Sequence, residues 1–166
     1  MKPAITAIPI DYESFQPFGT FINMLEPTGN CFEDEGSIFY PDPVQMSVSG
    51  REQIAFSPLI VKKQNPIIVK RAEYHNWTGE CIYFIDDDAV MHVAPPSNHV
   101  IVPDKTKAFI VPQGTLVKLN TGVWHLSPIP IHNDLLHLII IMPERVYGND
   151  CFVCDFPEED YFEIKF

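Results

Sequence analysis

Four side chains able to do chemistry lie in two short stretches of this sequence. The first stretch reads Glu73-Tyr74-His75-Asn76-Trp77-Thr78-Gly79-Glu80. Glu73 and His75 are two residues apart, so in a β-strand they share a face. A turn containing Gly79 follows, and Glu80 then opens the next apolar run. A hairpin of this kind can bring Glu73, His75 and Glu80 together. The second stretch, Asn120-Thr121-Gly122-Val123-Trp124-His125, puts a histidine shortly after a turn glycine. Carboxylates and imidazoles that converge can move protons. They also suit borderline divalent cations. Taken alone, a histidine beside a tryptophan reads as a packed, hydrogen-bonded residue. Two carboxylates and two imidazoles turned into one apolar interior are another matter: they are costly to keep there without a metal, a proton or a ligand.

The elements that must hold these residues read as strands. The 16 prolines interrupt the chain often, and short runs rich in Ile, Val and Phe lie between them. Strands are expected near Thr6–Ile10, Thr20–Met24, Gln45–Ser49, Ile54–Pro58, Ile67–His75, Glu80–Ile85, Val90–Ala94, His99–Val102, Ala108–Val111, Leu116–Leu119 and Leu135–Met142, with a further strand at the C-terminal end. Turn chemistry separates them at Pro27–Gly29, Asp86–Asp88, Pro95–Asn98, Pro112–Gly114 and Asn120–Gly122. The Asp86–Asp88 run reads as a solvated hairpin tip. Only Asp11–Phe15 reads as a helical turn, with Asp11 as its N-cap. Many short strands at this spacing indicate an all-β sandwich or barrel.

Composition narrows the function. With 166 residues, 46% of them apolar, the chain can bury a core as a single domain spanning residues 1–166. Lys and Arg number 11 against 22 Asp and Glu, a formal charge of −11. A chain this acidic is repelled by phosphate backbones and anionic bilayers, so neither nucleic acid nor membrane is an expected partner. No run approaches the roughly 20 apolar residues of a bilayer span, and a cytoplasmic location is the default expectation. Cys31, Cys81, Cys151 and Cys154 do not form a disulfide framework. The Cys151-x-x-Cys154 pair lacks a second ligand pair for a structural zinc and reads as reduced cysteines. His92, His99 and His132 lie beside turns and prolines and read as surface residues. His137, inside an apolar run, is either a satisfied core histidine or an additional site residue.

The spacing of Glu73, His75 and Glu80 resembles the first cupin motif, and His125 resembles the histidine that closes the cupin metal site. Glu73 stands where a histidine is usual, His75 takes the second position, and Glu80 takes that of the motif glutamate. On this resemblance a divalent metal (Zn, Mn, Fe or Ni) is held by His75, Glu80 and His125. The likeness is closer to one family within the cupins. Arg71-Ala72-Glu73-Tyr74-His75, Ala108-Phe109-Ile110, Gly122-Val123-Trp124-His125 and the opening Phe15-Gln16-Pro17-Phe18-Gly19-Thr20 are similar, in order, to ureidoglycolate lyase. The resemblance implies a cupin-type jelly-roll barrel (double-stranded β-helix), a homodimer, and cleavage of the small-molecule substrate ureidoglycolate to glyoxylate and urea. It makes Glu73, His75 and His125 the catalytic candidates. For substrate binding it leaves Arg71 or Lys118 to hold the carboxylate, Tyr83 and Trp124 to form a wall, and His137 as a further contact. The chain departs from the family pattern at Tyr74 (usually Arg), Glu80 (usually Gln), Leu126 (usually His) and His137 (usually Asp). These changes keep two alternatives open: a metal-dependent cupin acting on another small hydroxy acid or sugar derivative, and a non-catalytic binder of a small ligand.

Overall fold

A computed structural model of the chain describes residues 3–48, 53–99 and 101–166. In chain order the elements are β1 (Ala4–Thr6), β2 (Ile8–Pro9), the single-turn helix α1 (Tyr12–Phe15), β3 (Gly19–Asn23), β4 (Phe32–Glu33), β5 (Ile38–Phe39), β6 (Ile54–Lys62), β7 (Ile67–Val69), β8 (Arg71–Tyr74), β9 (Glu80–Phe84) and β10 (Ala89–Ala94). There follow β11 (Lys107–Val111), β12 (Thr115–Leu119), β13 (Trp124–His125), β14 (Ile129–Pro130), β15 (Leu135–Pro143), the single-turn α2 (Val146–Asn149), β16 (Phe152–Asp155) and β17 (Phe162–Lys165). The expected all-β jelly roll is the fold found. None of its helices is long and apolar enough to cross a membrane, among the described residues.

Two sheets face each other. The five-stranded sheet runs β3-β12-β9-β15-β6, and the seven-stranded sheet runs β16-β8-β13-β10-β11-β2 with β14 added to β10. Period-two alternation decides what lies between them. From β9 come Ile82 and Phe84, from β12 Val117 and Leu119, and from β15 Leu136, Leu138, Ile140 and Met142. They meet Ala89, Met91 and Val93 of β10 and Phe109 and Val111 of β11. Phe15 closes this core from α1, edge-on to Phe109 at 5.3 Å between ring centroids. Asp11 caps α1 as expected, accepting from the Ser14 amide at 2.9 Å.

The seven-stranded sheet is buried on its other face as well. There Ala72, Tyr74, Val90, Ala94, Ala108 and Trp124 pack under Ile67, Val69, Phe162 and Ile164. These last four belong to a three-stranded sheet ordered β1-β17-β7, in which β1 and β17 are parallel. The outer face of the five-stranded sheet is covered in part by the 24–48 segment, from which Met46 reaches Cys81 (3.9 Å between sulfurs).

Several expectations change. The run Ile67–His75 is not one strand. It breaks at Lys70, whose carbonyl accepts the Phe156 amide at 2.9 Å, and the chain passes there from the outer sheet into the barrel. Residues 45–48 form no strand, and neither do 99 and 101–102; residues 49 and 100 lie outside the described residues. Asp86–Asp88 is a binding knot, not a free tip. Asp87, 3% exposed, accepts the His132 and Asn133 amides at 3.0 and 2.8 Å. Asp88 accepts the Gln113 amide at 2.8 Å. His92, expected at the surface, is buried beside Phe162 at 5.9 Å between ring centroids. His99 and His132 are exposed as expected.

Candidate functional site

Glu73 and His75 leave β8 on its barrel side, because Ala72 and Tyr74 occupy the opposite face in the outer core. β13 is two residues long. It turns Trp124 outward and His125 inward, and His125 pairs directly with Glu73 across the ladder. The Gly122 turn makes that placement possible: Gly122 adopts φ +79° and donates its amide to the His75 carbonyl at 2.7 Å. Glu80 arrives from the opposing sheet at the start of β9, on the same face as Ile82. The four residues thus converge from two sheets.

Their contacts are specific. Glu80 Oε2 lies 3.1 Å from His75 Nε2 and 2.8 Å from His125 Nε2, and all three side chains are buried. Each imidazole gives its other nitrogen to a backbone carbonyl: His75 Nδ1 to Asp150 at 2.6 Å and His125 Nδ1 to Val123 at 2.9 Å. Both Nε2 atoms are therefore aimed at the carboxylate. Burial alone would raise the Glu80 carboxyl, but His125 and His75 beside it hold it down at about 2. Burial alone would lower His125, but the Glu80 carboxylate lifts it to about 9. His75 is likewise raised, burial opposing and Glu80 prevailing.

Above this group is a cavity of about 410 Å³. Glu73, Glu80 and His125 supply its charged and imidazole groups, Leu59, Ile82 and Ile140 its apolar wall, and Tyr147 of α2 its rim. No Lys or Arg of the described residues lines it. Ligand atoms of Glu73, His75 and His125 lie within 4.8 Å of one another, a spacing that can hold a metal ion. The second nitrogen of each histidine is tied to a carbonyl, the arrangement by which metal-binding histidines are oriented. The donor set therefore fits a divalent cation.

The residues expected to bind substrate do not join them. Trp124 faces the outer core, donating Nε1–H to Ser97 Oγ at 2.8 Å and packing edge-on against Tyr74. Tyr83 and Lys118 point from the outer face of the five-stranded sheet, opposite in parity to Ile82 and Val117, and Lys118 Nζ is engaged by Asn120 at 2.7 Å. His137 lies on that outer face too, its Nδ1 2.5 Å from Asp86. Arg71 is exposed at the start of β8 and pairs with Asp155 at 2.8 Å. The departure at Tyr74 also falls outside the barrel, where the ring stacks on Phe152.

Three neighbours of the site escaped the sequence reading. Tyr147 is at the rim, and burial followed by the nearby Glu80 and Glu73 carboxylates raises its hydroxyl, keeping it protonated. Asp150 holds His75, and the Cys151 thiol lies 3.3 Å from Glu73 Oε2. Burial and Glu73 push that thiol up to about 12. The Cys151-x-x-Cys154 spacing drew notice as a motif. Nothing in it pointed to Glu73, which is 78 residues away.

No curated protein is significantly similar to this chain in sequence. Among solved structures, oxalate decarboxylase from Bacillus subtilis is similar. The structure described for its Mn(II) centres aligns with TM-score 0.45 at 18% identity, over 63% of this chain and 24% of that one. A second structure of the same protein aligns with TM-score 0.42 at 20% identity, over 55% and 21%. The chain thus spans about a quarter of the length of those relatives. Residues 2–163, nearly the whole chain and all four converging side chains, match the sequence pattern of ureidoglycolate lyase, and the chain belongs to that family.

Proposed function

We propose that this chain splits ureidoglycolate into glyoxylate and urea. The observation that carries the reading is the convergence of Glu73, His75, Glu80 and His125 at a cavity of about 410 Å³ in a chain of this family. The reaction breaks one C–N bond and leaves a carbonyl. Glu73 takes the proton of the carbinol O–H, the oxygen's electrons form C=O, and the C–N pair departs on the urea nitrogen. That nitrogen takes up the proton carried by Glu73. The oxygen and nitrogen share one carbon, so a single carboxyl can serve both ends.

The substrate is an anion, and no Lys or Arg of the described residues lines the cavity. Positive charge there comes from the His75–Glu80–His125 group. A divalent cation would be held by His75 and His125 together with Glu80 or Glu73, and would supply Lewis-acid polarisation of oxygens. Glu80 keeps both imidazoles aimed, and Leu59, Ile82 and Ile140 keep bulk water off the reacting carbon.

The test is urea and glyoxylate release by wild type and by Glu73→Gln, with metal content measured on the same protein. Wild-type turnover that falls at least a hundredfold in Glu73→Gln is expected. Turnover that survives the substitution removes Glu73 from the mechanism. A wild type inactive with Zn, Mn, Fe and Ni rejects the reaction.

The proposal extends to assembly and location. Phe56 and Ile60 of the edge strand β6 are 69% and 58% exposed on the face turned from the barrel, a surface suited to a second copy. All four cysteines are free, which suits a reducing compartment such as the cytoplasm.

A further inference from the structure

We propose that Asp150 and Cys151 are positioning residues for the β8 pair: the Asp150 carbonyl fixes the His75 imidazole, and the Cys151 thiol aims the Glu73 carboxylate. The two neighbouring residues reach the two site residues from the far end of the chain, between α2 and β16.

Asp150 is 2% exposed, and no cation faces its carboxylate among the described residues. The carboxylate accepts the Asn76 amide at 2.8 Å and the Trp77 amide at 2.7 Å. Those are the two residues after His75, so the turn leaving β8 and the segment leaving α2 are clamped together. The Asp150 amide is itself used, donating to the Val146 carbonyl at 2.7 Å. With both sides anchored, the Asp150 carbonyl meets His75 Nδ1 at 2.6 Å. A carbonyl can only accept, so Nδ1 carries a proton, and Nε2 is left to face Glu80 at 3.1 Å.

Cys151 follows directly. Its Sγ lies 3.3 Å from Glu73 Oε2, where the S–H donates to the carboxylate. Glu73 pairs in register with His125 on one side and Val153 on the other, and neither backbone contact fixes its carboxylate about the terminal torsions. The thiol supplies that constraint. It is not half of a disulfide: Cys154 packs into the outer core, on the opposite face of β16, and both thiols are free.

The activity arm rests on Glu73 being the base of the proposed reaction; the spectroscopic arm does not. In the first, Cys151→Ala lowers kcat about tenfold, as loss of an orienting partner does, with KM and melting temperature little changed. Cys151→Ser, which restores a donor, recovers most of the rate. In the second, the ¹³C carboxyl resonance of Glu73 moves in Cys151→Ala and returns in Cys151→Ser. The ¹⁵N spectrum of the wild type shows His75 protonated at Nδ1, and Asp150→Asn, which keeps the side-chain shape, shifts that signal. A Glu73 resonance unmoved by Cys151→Ala overturns the thiol's role. A His75 found with Nδ1 unprotonated, or unchanged in Asp150→Asn, overturns the carbonyl's role. If wild type fails to cleave ureidoglycolate, the reaction falls and these spectra still decide the positioning.

Discussion

Two buried histidines sit in opposite electrostatic settings. His125 is held up by Glu80, and the metal-free protein should show it titrating near 9. In Glu80→Gln the largest lifting charge is gone, while burial and the weaker lift from Glu73 remain. The His125 value is then expected to fall from about 9, read by imidazole NMR on chelator-treated protein. His92 has no such partner. Its Nε2 has no hydrogen-bond partner among the described residues, and burial, with His125 adding to it, lowers the ring to about 3. In the unfolded chain the ring takes a proton near 6.5, while the folded chain refuses one down to about 3. The His92 contribution to stability is therefore full above 6.5 and falls by about 1.4 kcal/mol per pH unit as pH drops through that window. His92→Leu should flatten this acid limb without altering stability at pH 8 by more than about 1 kcal/mol. Urea melts at pH 4 and pH 8 measure both; an unchanged acid limb would refute the assignment.

At the scale of elements, the four-residue site was legible because its logic is local. Glu73 and His75 share a strand face by alternation, and Gly79 and Gly122 mark the turns that return Glu80 and His125. The face of Trp124 was not legible, for a reason specific to this fold. The seven-stranded sheet is buried on both sides, so an apolar or aromatic run does not report which side is the barrel. Trp124 is 1% exposed, yet it looks away from the site. Asp150 reaches His75 across 75 residues, a contact set by topology and by no motif. The β8–β9 turn shows how tightly the local logic is built. A Cβ on Gly79 would lie 2.4 Å from the Leu119 carbonyl oxygen, a backbone atom of β12. Gly79→Ala must push β9 from β12 at the residue before Glu80. A loss of about 1–3 kcal/mol and a larger fall in activity are expected, compared by thermal melts and urea release. Full activity in Gly79→Ala would mean that the turn tolerates the shift without moving Glu80.

The chain is acidic overall, and one of its edge strands exposes apolar side chains in a row. β6 is nine residues long, lies at the edge of its sheet, and exposes Phe56, Pro58 and Ile60 in alternation. Long apolar edge strands invite pairing with another chain. A stable interface buries about 1,200–2,000 Å², more than these three side chains offer. Neighbouring Tyr83, Ile139 and Ile141, half-buried on the same outer face, extend it. Sedimentation at micromolar concentration should give twice the 18.9 kDa of one chain, and the double variant Phe56→Lys, Ile60→Glu should give single chains. A wild type already sedimenting as single chains would reject the dimer.

The three-stranded sheet sets the order in which the chain can be completed. Its central strand is β17, near the end of the sequence, and β1, near the start, has β17 as its pairing partner: Ala4 opposite Glu163 and Thr6 opposite Lys165. Until residues 162–165 leave the ribosome, β1 lacks the strand it pairs with, and the apolar side chains Ile67 and Val69 lack the cover that Phe162 and Ile164 provide. Contacts this distant in sequence close slowly, and the waiting chain exposes sticky surface. Strand β1 is thus made long before its partner and is among the last to fold, and a nascent chain stalled before residue 162 is the species a cell's holding chaperones would need to shield.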